Sequence, residues 1–468
     1  VSELPPIFQR PTFARPRRLF LEAFSGPRNR LLPLVVATGL IGGLVGAGYV
    51  EALRGLQHFL WPTHYANWTH WPLLIAIGIA VALLVKLLGD PGDTELLVDN
   101  IHITGGMEDV HNLRSLVPVS LLGIAVGGGI GPEAPLTQIT GTLGSWVGIR
   151  SDSDRVDRRI LTITGMAAGF TVLFGAPLGS AVFALEILHR RGLEYYEALL
   201  PACLGSAIGY AVYVAITSLG LQPIWRFPAA PMHIHTSDLG WAVLCGVAGA
   251  VVAYLFTWLS MFFRWTVRRL PSWSKPVVAG VALGGIAWIS PYALTFSEAQ
   301  LTHIGALNTI AVSTLLLAAL GHLISAPVTM AGQWKGGFII PLFFIGYCVG
   351  RAGGIQFGHG QDYVLWATAC MVACNVGVTK TPLGSTLVVA EMVGMRIIPT
   401  LLIAAIVSLF LTSGANLLHS QRRREGAHGE SSGDPEDLVR GDDGLANPHP
   451  SPRKPAGAHG SAVEAPSR

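Results

Sequence analysis

The chain has 468 residues, of which 51% are hydrophobic and only 13% are charged, against about 25% charged in a soluble domain. Its 31 basic and 28 acidic residues leave a net charge of +3. So apolar a chain excludes a soluble enzyme, and so small a net charge excludes a nucleic-acid binder driven by phosphate contacts.

A polar arm, residues 1–30, opens the chain with Arg10, Arg15, Arg17, Arg18, Arg28 and Arg30 and shows no cleavable signal peptide. The positive-inside rule assigns it to the cytoplasm. Apolar stretches able to cross about 30 Å of hydrocarbon follow at Leu31–Ala52, Leu73–Leu88, Leu199–Ser218, Trp241–Phe263 and Ile397–Leu418. Others are shorter or broken by Gly and Pro: Leu116–Gly131, Pro135–Val147, Leu161–Leu188, Val277–Ile289, Ile310–Ile324, Phe338–Gly350 and Leu365–Val393. Broken segments survive in a bilayer only where the irregular backbone is buried in protein or lines a wet cavity, which is how transporters and channels set helix ends at mid-membrane. From Ser420 to Arg468 the chain turns polar, with 15 charged residues in 49. That composition predicts a disordered cytoplasmic tail. Cys203, Cys245, Cys348, Cys370 and Cys374 all lie in apolar runs, so they read as packing residues rather than a disulfide framework.

An internal repeat organises the body. Residues 165–188 align without gaps on 370–393, sharing Met166/Met371, Ala168/Ala373, Pro177/Pro382, Leu178/Leu383, Gly179/Gly384, Ser180/Ser385 and Glu186/Glu391 at an offset of 205. Gly131-Pro132-Glu133-Ala134-Pro135 matches Gly337-Phe338-Ile339-Ile340-Pro341 at 206. Two matches in one order predict a duplicated half, with transmembrane repeats over 31–219 and 240–419 joined by a linker over 220–239. Such repeats meet around a binding site near the midplane.

In Val126–Pro135, four glycines and two prolines surround a single carboxylate ahead of an apolar run. Pro135 suits a first helical turn, and the free amides and dipole of that turn attract anions. Glu133 can occupy such a site itself and leave when protonated or outcompeted, whereas its bland reading is an acidic cap on a buried helix. Lys335–Pro341 repeats the pattern with Ile339 in place of the carboxylate. That half can therefore offer the amides of Phe338 and Ile339 without internal competition.

These residues resemble the CLC chloride channels and proton/chloride exchangers, from about Leu31 to Ser420. GPEAP at 131–135 looks like the family's GREGP loop, with Glu133 on the gating glutamate. GFIIP at 337–341 looks like its GxFxP loop, although Ile339 stands where the family has Phe. GAPLGS at 175–180 and KTPLGS at 380–385 resemble its paired helix starts. The resemblance implies an all-α polytopic fold of two inverted-topology repeats of broken, tilted helices. It also implies a homodimer with one pore per subunit, monovalent-anion transport and no cofactor. Its anion ligands would come from Gly131, Pro132, Phe338 and Ile339.

Departures from the pattern bear on function. The family's GSGIP loop aligns best with Gly92-Asp93-Thr94-Glu95-Leu96, where Thr94 could supply a hydroxyl but two carboxylates flank it. His419 stands where the family has its pore tyrosine; it reads equally as an anion donor that can titrate and as a solvated helix end. Exchangers of the family carry an inner proton glutamate immediately after the position of Glu186. Here that residue is Ile187, and Glu186, with its repeat partner Glu391, reads as a structural cap or pair. The fluoride-exporting branch tends to have a glutamate in the loop where this chain has Phe338. His233 and His235 lack a third ligand for a metal site. Lys86, Lys335 and Lys380 sit at segment ends, where they can snorkel or add positive potential.

The expected function is passive, chloride-selective conduction gated by Glu133 in the plasma membrane, with both termini cytoplasmic. A proton-coupled chloride antiporter is the first alternative. A fluoride exporter, a membrane scaffold and a membrane-embedded enzyme follow, the last without any catalytic constellation in the sequence.

Overall fold

The structure, a computed structural model, describes residues 30–417 except 62–66, 93, 190–192, 218–226, 228–233, 291, 308, 359–362 and 415–416. His233 and His419 therefore lie outside the described residues. The described residues form helices α1 (Leu31–Leu60), α2 (Asn67–Leu88), α3 (Thr94–Ile103), α4 (Leu113–Ala125), α5 (Glu133–Arg150), α6 (Arg155–Phe174), α7 (Pro177–Glu186) and α8 (Leu199–Thr217), then α9 (Thr236–Val267), α10 (Lys275–Ile286), α11 (Glu298–Ala306), α12 (Val312–Ala331), α13 (Ile339–Phe357), α14 (Tyr363–Thr379), α15 (Pro382–Val393) and α16 (Ile398–Leu411). Six of these regions are long and apolar enough to cross a membrane by length and composition, starting at Leu31, His70, Tyr196, Thr236, Val312 and Ile339. Leu44, Leu83, Trp258 and Leu316 are among the large apolar side chains left exposed on the helices, as a lipid-facing surface requires.

The second eight helices repeat the order of the first. Within each half the same neighbours pack, α1 on α8 and α5 on α6 in the first, α9 on α16 and α13 on α14 in the second. Gly39 and Gly43 of α1 meet Gly205 and Gly209 of α8 so closely that a Cβ on Gly39 would lie 2.8 Å from the Gly205 carbonyl oxygen. Small residues of this kind let membrane helices pack backbone to backbone. Between the halves, α2 packs on its equivalent α10 and α7 on its equivalent α15. Elements that touch their own counterparts lie beside the line along which the two halves meet.

Helix ends follow the repeat as well. Pro177 and Pro382 open α7 and α15, where a missing N–H costs nothing. The turn ahead of each needs a left-handed residue. Gly175 supplies it at φ 65° in the first half. Lys380, its equivalent, adopts φ 62° although it has a side chain, a conformation that costs on the order of 1 kcal/mol or more. Its buried ammonium offsets this by donating to the Gly377 carbonyl at 2.6 Å, the Thr412 carbonyl at 2.6 Å and Thr412 Oγ1 at 2.9 Å. Lys380 thus ties the start of α15 to the segment after α16 rather than reaching outward.

Candidate anion-transport site

Between α4 and α5 the backbone leaves the helix, and each of its polar groups needs a partner inside the protein. Gly127 turns at φ 118°. The Gly129 amide donates to Thr329 Oγ1 on α12 at 3.1 Å. Gly131 and Gly337 exchange both of their backbone hydrogen bonds, each 2.7 Å. Equivalent residues of the two halves thereby satisfy one another, and α5 and α13 start side by side.

Glu133 is the first residue of α5 and is fully buried. Its Oε1 accepts from the Ile340 amide at 3.1 Å, with the amides of Ile339 and of Glu133 itself also facing the carboxyl group. Oε2 has no hydrogen-bond partner. Glu133 belongs to none of the ion pairs found among the described residues. The carboxylate is thus held by the start of the other half's helix, in the place where helix amides and dipole favour an anion. Space for it comes from the two bridging glycines. A Cβ on Gly131 would fall 1.9 Å from Oε2, and one on Gly337 would fall 2.6 Å from Cγ, Cδ and Oε1.

Around the carboxylate the donors are amides at the start of α13. Phe338 is the N-cap of α13, and its ring packs 6.0 Å from that of Phe256. The amide that reaches the carboxylate is Ile340, at the second helical position, because amides of the first turn point along the axis toward a capping group. Beside it, the Gly131 amide is taken by the Gly337 carbonyl, and Pro132 has no amide hydrogen to offer.

Thr94 opens α3, but its side chain lies outside the described residues. The turn just before it is joined to the site. Lys335 pairs with Asp90 at 2.8 Å, so this lysine bridges the approaches to α3 and α13 instead of snorkelling. His235 is the N-cap of α9, its amide donating to Asp238 Oδ2 at 2.7 Å.

At the end of α7, Glu186 accepts from the amides of Leu383 at 3.2 Å and Gly384 at 2.7 Å in α15. Glu391 returns the contact, accepting from the Gly179 amide in α7 at 3.2 Å. Each carboxylate caps the other half's helix. Ile187 is buried and aliphatic. Two residues on lies a group that sequence reasoning missed. His189 is fully buried, its ring 5.1 Å from that of His102 and 5.2 Å from that of Tyr195. Its Nε2 lies 3.3 Å from Oε2 of the partly exposed Glu194. Burial holds this imidazole below its ordinary value, opposed by a contact with the Leu185 backbone. His102 donates or accepts at Tyr195 Oη (2.8 Å) and the Leu188 carbonyl (2.9 Å). No spacing in the sequence links His102 to His189; only the fold does.

Known proteins resemble this chain in both sequence and fold. Residues 98–413 match the family model described as voltage gated chloride channel. The chain is 27% identical over 439 residues to the chloride/fluoride channel protein of Pseudomonas syringae pv. tomato, covering 89% of this chain and 91% of that one. It is 25% identical over 406 residues to the H(+)/Cl(-) exchange transporter ClcA of Yersinia pestis, covering 80% and 83%. Its fold is similar to the crystal structure of a CLC-type fluoride/proton antiporter with a TM-score of 0.74 at 21% identity, over 86% of this chain and 100% of that one. With its paired helix starts and all-helical, two-fold repeated body, this chain belongs to the voltage-gated chloride channel (CLC) family of multi-pass membrane anion transporters.

Proposed function

We propose that the chain conducts chloride or a similar monovalent anion past the start of α13, with the Glu133 carboxylate as its gate. The observation that carries this reading is the bond from the Ile340 amide to Glu133 Oε1. Carboxylate and anion compete for the same amides, so the path closes when the ionised side chain sits there. It opens when protonation weakens that hold or an anion displaces it. An apolar Phe338 in place of a glutamate favours chloride over fluoride. Glu133→Gln, which cannot ionise, makes anion efflux from proteoliposomes insensitive to pH; a variant that keeps the wild-type pH profile excludes Glu133 as the gate.

Ile187 supports passive conduction, because a proton needs a titratable group or a water chain to cross the low-dielectric interior. Proton-coupled exchange is the second reading, and the contact between buried His189 and partly exposed Glu194 favours it. Recording external pH while a chloride gradient drives flux separates them. A fixed, non-zero proton-to-chloride ratio establishes exchange, and its loss in His189→Gln with anion flux retained assigns the carrier. Absence of proton movement establishes conduction.

The working assembly in this reading is a homodimer in the plasma membrane, with one path per chain and cytoplasmic termini. Supporting it, Leu178, Leu200, Leu383 and Phe410 are exposed on the equivalent helix pairs α7/α15 and α8/α16. Native mass spectrometry of the detergent-solubilised protein tests the dimer, since a monomeric mass with intact transport contradicts it.

A further inference from the structure

A cation at the edge of the hydrocarbon layer takes its partner from protein, water or a lipid headgroup, and the end of α9 gathers cations without protein carboxylates. α9 has 32 residues and is therefore about 48 Å long, well beyond the roughly 30 Å of hydrocarbon. Its apolar run Trp241–Phe263 stops at Arg264, so its last turn and the corner leading to α10 stand at headgroup depth. That corner carries Arg264, Arg268, Arg269 and Lys275, while residues 239–297 contain no acidic residue. The three arginines are exposed. None of the four cations belongs to an ion pair among the described residues.

Lys86 joins them at the same end. α2 runs antiparallel to α10, with Gly78 against Pro276 and Leu74 against Gly280, and Lys86 lies in its last turn. Asp90, just beyond, is occupied by Lys335 at 2.8 Å. Aromatic rings extend from the corner back along α9. Trp258 stacks on Phe262 at 5.5 Å and Phe262 on Trp265 at 6.5 Å, and the Arg268 guanidinium carbon lies 5.3 Å from the Trp265 ring centre. These three rings, and that of Trp273 past the helix, are exposed. Cations set beyond an aromatic, apolar face match a molecule that is negative at its head and apolar below.

We propose that the corner between α9 and α10 binds the headgroup of an anionic phospholipid. Its phosphate sits on Arg264 and Arg268, four residues apart on one helix face, and its acyl chains run along Trp258 and Phe262. Arg269, Lys275 and Lys86 add positive potential. A zwitterionic lipid brings its own cation and leaves this charge uncancelled, and a soluble polyanion would leave the rings uncovered. The site stands independently of the Glu133 gate and of proton coupling.

The test is native mass spectrometry of the full-length protein in detergent, titrated with phosphatidylglycerol or phosphatidylcholine. Tighter binding of phosphatidylglycerol is expected. Each cation near a headgroup is worth about fivefold in affinity, so the triple variant Arg264→Gln/Arg268→Gln/Arg269→Gln lowers phosphatidylglycerol affinity about a hundredfold and leaves that for phosphatidylcholine unchanged. The matching triple lysine variant keeps the charge and most of the preference. All three arginines are exposed, and an unchanged thermal melt verifies that the glutamine variant is folded. Acidic residues outside the described ones are present in the full-length chain as competitors; if they hold the cations, wild type shows no preference between the lipids. Equal affinity of wild type for both lipids, an unchanged preference in the glutamine variant, or displacement of phosphatidylglycerol by an equal concentration of glycerol 1-phosphate, which marks a free-phosphate site, overturns the proposal.

Discussion

Adding one methyl group at Gly337 isolates the gate from every other part of the site. The Cβ of Gly337→Ala would lie 2.6 Å from Cγ, Cδ and Oε1 of Glu133, where ordinary contact begins at 3.4 Å. The carboxyl group must therefore retreat by about 0.8 Å. Its bond from Ile340 is already 3.1 Å long, so that retreat takes it out of hydrogen-bonding range. Losing a hydrogen bond to a charged group is worth about 1.5–3 kcal/mol. The closed arrangement then loses roughly ten- to a hundredfold in population. The backbone exchange between Gly131 and Gly337 uses no side chain and survives. Chloride efflux from proteoliposomes, measured across roughly pH 4.5–8, should rise at neutral pH and lose most of its pH dependence. In a Glu133→Gln background the same substitution should change little, because the clash acts through the carboxylate. If Gly337→Ala slows efflux in that background as much as in wild type, the methyl blocks the path itself and the reasoning is wrong.

Other expectations concern the frame around the gate. Glu186 accepts two amides from α15 and Glu391 one from α7, so Glu186→Ala should destabilise the protein by about 3 kcal/mol and Glu391→Ala by about 1.5 kcal/mol; equal shifts in thermal melts would contradict the count of bonds. Glu108, in the turn after α3, is pushed up to about 7 by burial, with its Asn100 hydrogen bond opposing and Asp109 adding. Because the folded value lies above the unfolded one, its contribution to stability is complete below the ordinary value of 4.5 and is lost as pH rises through about 7. Glu108→Gln should therefore melt higher than wild type at pH above that window and show a flatter melting profile across it; parallel profiles would refute the assignment.

Local chemistry made much of this molecule legible in the sequence. Apolar runs of spanning length, breaks at Gly and Pro, and prolines at helix starts are properties of neighbouring residues, so the all-helical membrane body follows from the chain itself. The repeat was legible for the same reason, since duplicated halves keep Pro177/Pro382 and Glu186/Glu391 at one offset. Glu133 stood out because a lone carboxylate in an intramembrane glycine loop has no local partner.

What the sequence left open was decided by contacts between residues far apart in the chain. That Ile340 rather than Phe338 holds Glu133 depends on where α13 begins relative to a carboxylate 207 residues away. His189 acquires meaning only when the fold sets His102 and Glu194 against it. Lys335 and Lys380 looked alike as basic residues at segment ends, yet one pairs with Asp90 and the other is enclosed by the Gly377 and Thr412 carbonyls. Sequence fixes which groups are charged and which segments cannot stay in water; burial and the partners available within about 3 Å fix what each charge does, and only the packed helices supply those.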